Sequence, residues 1–188
     1  MLEWVLHNVR NLRRGKGVKY IIDGENLRIS LRRLNEELNE GGDILGVINN
    51  LKKYLDKGEG IKEIYFFDTL WSDNNRDQMA LRKRLKKNNV KVVLKRGKVI
   101  ISGMTKKSRA DSWINVEIMK TITQTSIRKV LLFSGDSDFE APLREVKRWG
   151  IKSVVISSHH DISRELKAVS DQVIYLEELL SHTINVSL

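Results

Sequence analysis

The stretch KVLLFSGDSDFEAPLREVKRWGIKSVVI, Lys129 to Ile156, decides the architecture. It opens on an apolar run (129–133) and turns tightly at Ser134 and Gly135. It then carries Asp136 and Asp138 one residue apart, continues with helical periodicity over 139–149, and ends on a second apolar run (152–156). Two β-branched and aromatic runs joined by a helix-period segment predict parallel strands buried on both faces. Pro142, the only proline, falls in the first turn of that helix, where a missing N–H costs least. The paired aspartates call for a physical reason in a chain that is otherwise strongly basic.

The same alternation extends in both directions. Further apolar runs stand at 18–22, 61–67, 90–94 and 172–176. Helical patterns lie at about 26–57 with a break at EGGD (40–43), then at 73–88, 110–124 and 161–169. Strands alternating with helices predict an α/β fold, a parallel sheet with helices on both faces. LKRGKVIIS (94–102) reads as a short hairpin turning at Arg96 and Gly97. There is no internal repeat and no low-complexity tract.

Residues 1–17 form a unit apart from the domain at 18–188. Leu2, Val5, Leu6, Val9 and Leu12 recur at helical spacing with Trp4 beside them, and Arg13, Arg14 and Lys16 lead into Gly15 and Gly17. This predicts an amphipathic helix and a basic linker, which docks on the domain or pairs with a second copy in a homodimer. Docking is commoner than membrane-surface binding for so short a helix.

At 188 residues and 40% hydrophobic content, one domain with a real core is expected. No apolar run approaches the roughly 20 residues of a membrane span, and the first residues lack a secretory pattern. Cysteine is absent, which excludes disulfides and thiolate metal sites. A soluble cytoplasmic protein is the expectation. The formal charge of +10, from 34 Lys+Arg against 24 Asp+Glu, attracts polyanions, nucleic acid first among them. RKRLKKNNVKVVLKRGK (82–98) reads as a footprint for a phosphate backbone, or as one solvated helix face followed by a basic hairpin.

Sites in open α/β sheets form at the carboxyl ends of strands, where strand order reverses. The first strand ends in DGEN (23–26) and the fourth in SGDSDF (134–139). In a 3-2-1-4-5 order they are neighbours, so Asp23, Asp136 and Asp138 converge. Converging carboxylates repel, and a hard divalent cation such as Mg²⁺ or Mn²⁺ makes that tolerable. The competing reading is that Asp138 or Ser137 only caps the following helix. Asp111 opens another predicted helix and fits either role. Glu117, six residues on, lies about 120° around that helix from Asp111, whereas Asn115 at i+4 shares its face.

Other motifs are weaker. The glycines of RGKGVKY precede the first strand rather than come after it, so a dinucleotide site is excluded, and no P-loop is present. His159 and His160 read as a polar loop, and Asp68 as a turn or cap residue. Trp71, Trp113 and Trp149 default to the core, Trp71 being the one placed to stack on a base.

Taken together, IIDGENL (21–27), SRADSWINVEIM (108–119) and LLFSGDSDFEAPLREVKRWGIKSVVIS (131–157) resemble the NYN domain family, the LabA/DUF88-like branch of the PIN-like nucleases, over about residues 18–180. The resemblance implies a Rossmann-like PIN-type sheet and a ribonuclease dependent on Mg²⁺ or Mn²⁺, acting on RNA such as tRNA, rRNA or mRNA. It implies Asp23, Asp111 and Asp136 as the acids that hold metal, with Asp138 binding it directly or through water. Glu117 matches a further acidic position, where relatives often carry Asp. Asn26 would position the water or phosphate, and Ser134 would shape the substrate loop. Relatives often have a Lys-Gly pair before the middle acid; here Ser108 and Arg109 stand there, leaving Lys107 or Arg109 to supply the charge. Arg28 and Arg76, with Lys106, Lys107 and Arg109, would hold the RNA backbone. The implied reaction is in-line attack of a metal-activated water on phosphorus, leaving 5′-phosphate and 3′-hydroxyl ends. Two rivals remain: a non-catalytic nucleic-acid-binding or regulatory protein, and a HAD-type phosphotransferase, which has Asp at the end of its first strand but usually a second Asp where this chain has Glu25.

Overall fold

A computed structural model describes residues 16–38, 43–55, 60–70, 76–100, 105–107 and 110–184. The amphipathic segment therefore lies outside the described residues up to position 15, as do Trp71, Ser108 and Arg109. The elements in chain order are β1 (Gly17–Asp23), α1 (Gly24–Leu38), α2 (Ile44–Leu55), β2 (Ile61–Leu70), α3 (Arg76–Lys87), β3 (Lys91–Arg96), β4 (Lys98–Ile100), β5 (Thr105–Lys107), α4 (Ala110–Lys120), β6 (Ile127–Phe133), α5 (Glu140–Arg148), β7 (Lys152–Ser157), α6 (Arg164–Val169), β8 (Gln172–Tyr175) and α7 (Leu176–Ile184). Single 3-10 turns at Thr121–Thr123 and Ser137–Phe139 follow α4 and precede α5.

Six strands form one sheet in the order β3-β2-β1-β6-β7-β8, and every neighbouring pair is parallel. Apolar residues cover both faces, as a parallel sheet sandwiched by helices requires. Val18, Tyr20 and Ile22 of β1 pack with Leu27, Leu31 and Leu34 of α1 and with Val47 and Ile48 of α2. On the other face Ile21, Val130, Leu132 and Val155 meet Ile114 and Ile118 of α4 and Leu143 and Val146 of α5. The α5 helix ends at Gly150, whose φ of 76° suits a residue without Cβ, and the Gly150 and Ile151 amides donate back to Lys147 and Val146.

Two local expectations are corrected. No hairpin turns at Arg96 and Gly97. β3 runs parallel to β2, the Gly97 amide continues that ladder by donating to the Leu70 carbonyl, and β4 instead pairs antiparallel with β5. Their connection at 101–104 lies outside the described residues. Trp113 is not in the core but 44% exposed, with the Lys95 ammonium 3.4 Å above its ring.

The chain moves outward from β1 through β2 to β3 and then crosses back to place β6 on the other side of β1. Ile22 pairs with Phe133, so the segments leaving β1 and β6 emerge side by side. That is the reversal point where open α/β sheets form their crevice.

Candidate functional site

Asp23 ends β1 and is 5% exposed. Its Oδ1 accepts the amides of Glu25 and Asn26, both at 3.1 Å, so it caps α1 as well as facing the crevice. The Ser134 hydroxyl donates to Asp23 Oδ2 at 3.1 Å and accepts the Asp136 amide at 3.3 Å. Asn26 Oδ1 accepts the Gly135 amide at 3.2 Å. These bonds tie the turn after β6 to the turn after β1. Ser134 is fully buried and shapes this junction. The cap of the following turn is Asp136, whose Oδ1 accepts the Asp138 amide at 3.0 Å, and not Asp138 or Ser137. Asp136 is half-buried and Asp138 exposed.

Burial pushes the Asp23 carboxyl up to about 6, from an ordinary 3.8. The Asn26 amide and Ser134 hydroxyl oppose the shift, and the charges of Asp111 and Glu25 add to it. Asp111 stands in the first turn of α4, close enough for its charge to be felt at Asp23. One turn further, Asn115 Oδ1 is buried with no hydrogen-bond partner.

Glu117 makes ion pairs. Its carboxylate is bound by the ammonium of Lys19, a fully buried lysine of β1, and by Lys120 at 3.3 Å. Six residues of helix, about 9 Å, separate it from Asp111. Lys19 and Lys120 thus supply counter-charge to this carboxylate.

Asp68 also differs from expectation. β2 extends to Leu70, so Asp68 lies inside the strand, 1% exposed, and is neither a turn nor a cap residue. It accepts both arms of the Arg28 guanidinium, at 2.5 and 2.8 Å, and the Gln78 amide at 3.1 Å. Such a bidentate pair braces α1 on β2. Arg76 opens α3 and is exposed. Arg109 and the Lys107 side chain lie outside the described residues. His159 stacks on Tyr175, with ring centroids 3.4 Å apart, as part of a polar loop.

Asp161 is the residue that sequence reasoning misses. It accepts the hydroxyls of Ser30 and Ser158, each at 2.6 Å, and pairs with Arg33. Burial works to raise its carboxyl, but the two hydroxyls and the arginine prevail and hold it below the usual range. Its own backbone closes over Gly135: a Cβ there would sit 2.1 Å from the Asp161 carbonyl oxygen, while the Ser163 amide donates to the Gly135 carbonyl at 2.8 Å. The loop after β7 thus clamps the turn that carries Asp136. A signal for it exists in the sequence, because Asp161 stands just beyond the fifth main apolar run, as Asp23 and Asp136 stand at the ends of theirs. Gly135→Ala is expected to cost about 1–3 kcal/mol through overpacking, read as a lower urea midpoint with unchanged slope. An unaltered midpoint would mean the clamp yields freely.

Among the described residues, no three His, Asp or Glu side chains are grouped closely enough to hold a metal ion. The donor chemistry nonetheless fits a hard divalent cation. A buried carboxylate with a raised pKa faces a second acid, an amide oxygen without a partner lies one turn further on, and the chain has no cysteine. No helix among the described residues is long and apolar enough to cross a membrane.

A family model described as the NYN domain matches residues 18–177. Among solved structures, a protein of unknown function from Vibrio parahaemolyticus aligns with a TM-score of 0.68 at 16% identity, over 87% of this chain and 94% of that one. At that identity the likeness shows the fold alone. No curated protein matches the chain.

Proposed function

The chain belongs to the NYN domain family, a PIN-like group whose members are generally nucleases, and from that premise we propose that it is a ribonuclease dependent on Mg²⁺ or Mn²⁺. The observation that carries this reading is Asp23: a buried carboxylate at the strand-order reversal, pushed up to about 6 and facing the charge of Asp111. The cap on α1 and the Ser134 bond stabilise the carboxylate only in part, since burial still prevails, whereas a bound cation offsets both burial and repulsion.

Asp23 and Asp111 would hold the ion, joined by Asp136 and Asp138 from the turn tied to Asp23 through Ser134. A divalent ion supplies Lewis acidity, which lowers the pKa of water and offsets charge on a phosphate oxygen. Asn26 has its side-chain oxygen committed to the Gly135 amide, which leaves its NH₂ group to donate to a phosphate oxygen. With Arg28 held by Asp68, backbone holding falls to Arg76, Lys107 and Arg109, and the net charge of +10 draws the strand in.

Protein stripped with chelator and given end-labelled RNA is expected to cleave only when Mn²⁺ or Mg²⁺ is restored, leaving 5′-phosphate ends. The same sequence as DNA reports on sugar preference. RNA affinity is expected to fall linearly in log–log terms with salt; a flat response would argue against RNA as the partner. One observation favours a second reading, a non-catalytic nucleic-acid-binding protein: the lack of three grouped acids among the described residues. Binding without metal-dependent cleavage, unchanged in Asp136→Asn, would establish it.

A further inference from the structure

Four large hydrophobic residues are exposed among the described residues, and three of them stand on α4: Trp113, Val116 and Met119 at 44%, 47% and 39%. Their spacing of three and then three residues puts them on one side of the helix. The opposite side of α4 buries Ala110, Ile114 and Ile118 against the sheet. Ser112 and Lys120 lie on this outer side as well, yet three large apolar side chains gathered on one exposed helix face form a patch of the kind that another segment covers.

We infer that the cover is the chain's own N-terminal segment, residues 1–15, docked along the outer face of α4. Leu2, Val5, Leu6, Val9 and Leu12 supply one apolar helical face, and the nuclease reading gives them no role. The lengths agree: residues 2–12 as a helix span about 16 Å, as do the eleven residues of α4. The point of attachment agrees too. Gly17 begins β1 with its amide on the Ser126 carbonyl at 3.0 Å, only a short connection beyond the end of α4. Lys19, two residues on, already reaches Glu117. From there the linker 13–16 spans up to roughly 13 Å, enough to set Leu12 beside Met119. Three exposed residues offer too little apolar area for a stable contact between two copies, which needs roughly 800 Å² from each partner. A tethered segment needs far less, because its effective concentration is in the millimolar range. The docked segment would lie along the helix whose first turn carries Asp111.

The chain has no cysteine, so disulfide trapping is clean. Full-length proteins carrying Val116→Cys with Val5→Cys, Val9→Cys or Leu12→Cys are oxidised at low micromolar concentration. At least one pair is expected to form an intramolecular bridge, seen as a monomer of altered mobility on a non-reducing gel and as a linked peptide after digestion. The same N-terminal cysteines paired with Lys87→Cys, exposed on α3, are expected to stay unlinked. Bridged dimers, linkage at position 87 equal to that at 116, or no bridge at all in variants with wild-type circular dichroism would each overturn the proposal. Cleavage of RNA enters none of these readouts, so failure here is distinct from failure of the nuclease reading.

Discussion

Asp23→Asn is expected to destroy cleavage and to stabilise the metal-free protein. The loss should reach about 10³-fold or more, since several kcal/mol of transition-state stabilisation depend on a properly held cation. The stability gain comes from linkage. The folded state binds the Asp23 proton more tightly than the unfolded chain, with a pKa of about 6 against 3.8. Wild-type stability therefore falls as pH rises from about 4 to 6 and stays lowered above that. Asparagine keeps acceptors for the Glu25 and Asn26 amides without the charge. The variant should match wild type below pH 4 and exceed it by roughly 2–3 kcal/mol above pH 6, which is about 4–12 °C in Tm for a chain of this size. Adding Mn²⁺ should raise the wild-type Tm and leave the variant unmoved. Thermal melts across pH, with and without Mn²⁺, check all of this. A variant that melts lower than wild type at pH 8 without metal would show that the Asp23 charge is satisfied by the protein itself, and the cation would lose its rationale.

The sheet is legible because parallel strands buried on both faces leave nearly unbroken apolar runs, and β1, β6 and β7 are of that kind. Placing β1 beside β6 brings DGEN next to SGDSDF, and Ser134 and Asn26 indeed join those turns. What is not legible depends on partners distant in sequence. Lys19 sits in VKYII as a tolerated interruption, and nothing local says that Glu117 awaits it 98 residues on. Asp68 looks like a strand end because its partner Arg28 lies on a helix forty residues earlier. Residue type alone assigns Trp113 to the core, and residue type cannot tell which side of a helix faces the sheet. The hairpin is misplaced because Gly97 suggests a turn, although its amide is still used by the β2 ladder.

Lys19→Met should damage the fold severely. The ammonium is fully buried between Glu117 and Glu63, the latter at 3.3 Å, with Gln124 Oε1 at 3.1 Å and the Tyr65 ring centroid at 4.9 Å. Glu63 also has Lys91 at 2.6 Å and remains largely paired without Lys19. Glu117, 6% exposed, would keep only the solvent-facing Lys120. Stranding a buried carboxylate in this way typically costs 3–5 kcal/mol, or about 6–20 °C in Tm. Replacing both members, Lys19→Met with Glu117→Leu, removes the stranded charge and should recover most of the loss. Glu117→Gln should be mild, because Lys19 retains Glu63, and metal-dependent cleavage should survive it. Glu63 is held below its ordinary 4.5: burial works to raise it, but Lys91 and Lys19 outweigh that. Its share of the stability is therefore present above about pH 4.5 and fades as the pH falls below. The two roles considered for position 117 thus predict opposite results from one protein. If Glu117→Gln melts like wild type yet no longer cleaves, the residue serves the metal after all and the lysine is incidental. If it cleaves normally, the ion pair is the reason this acid is buried.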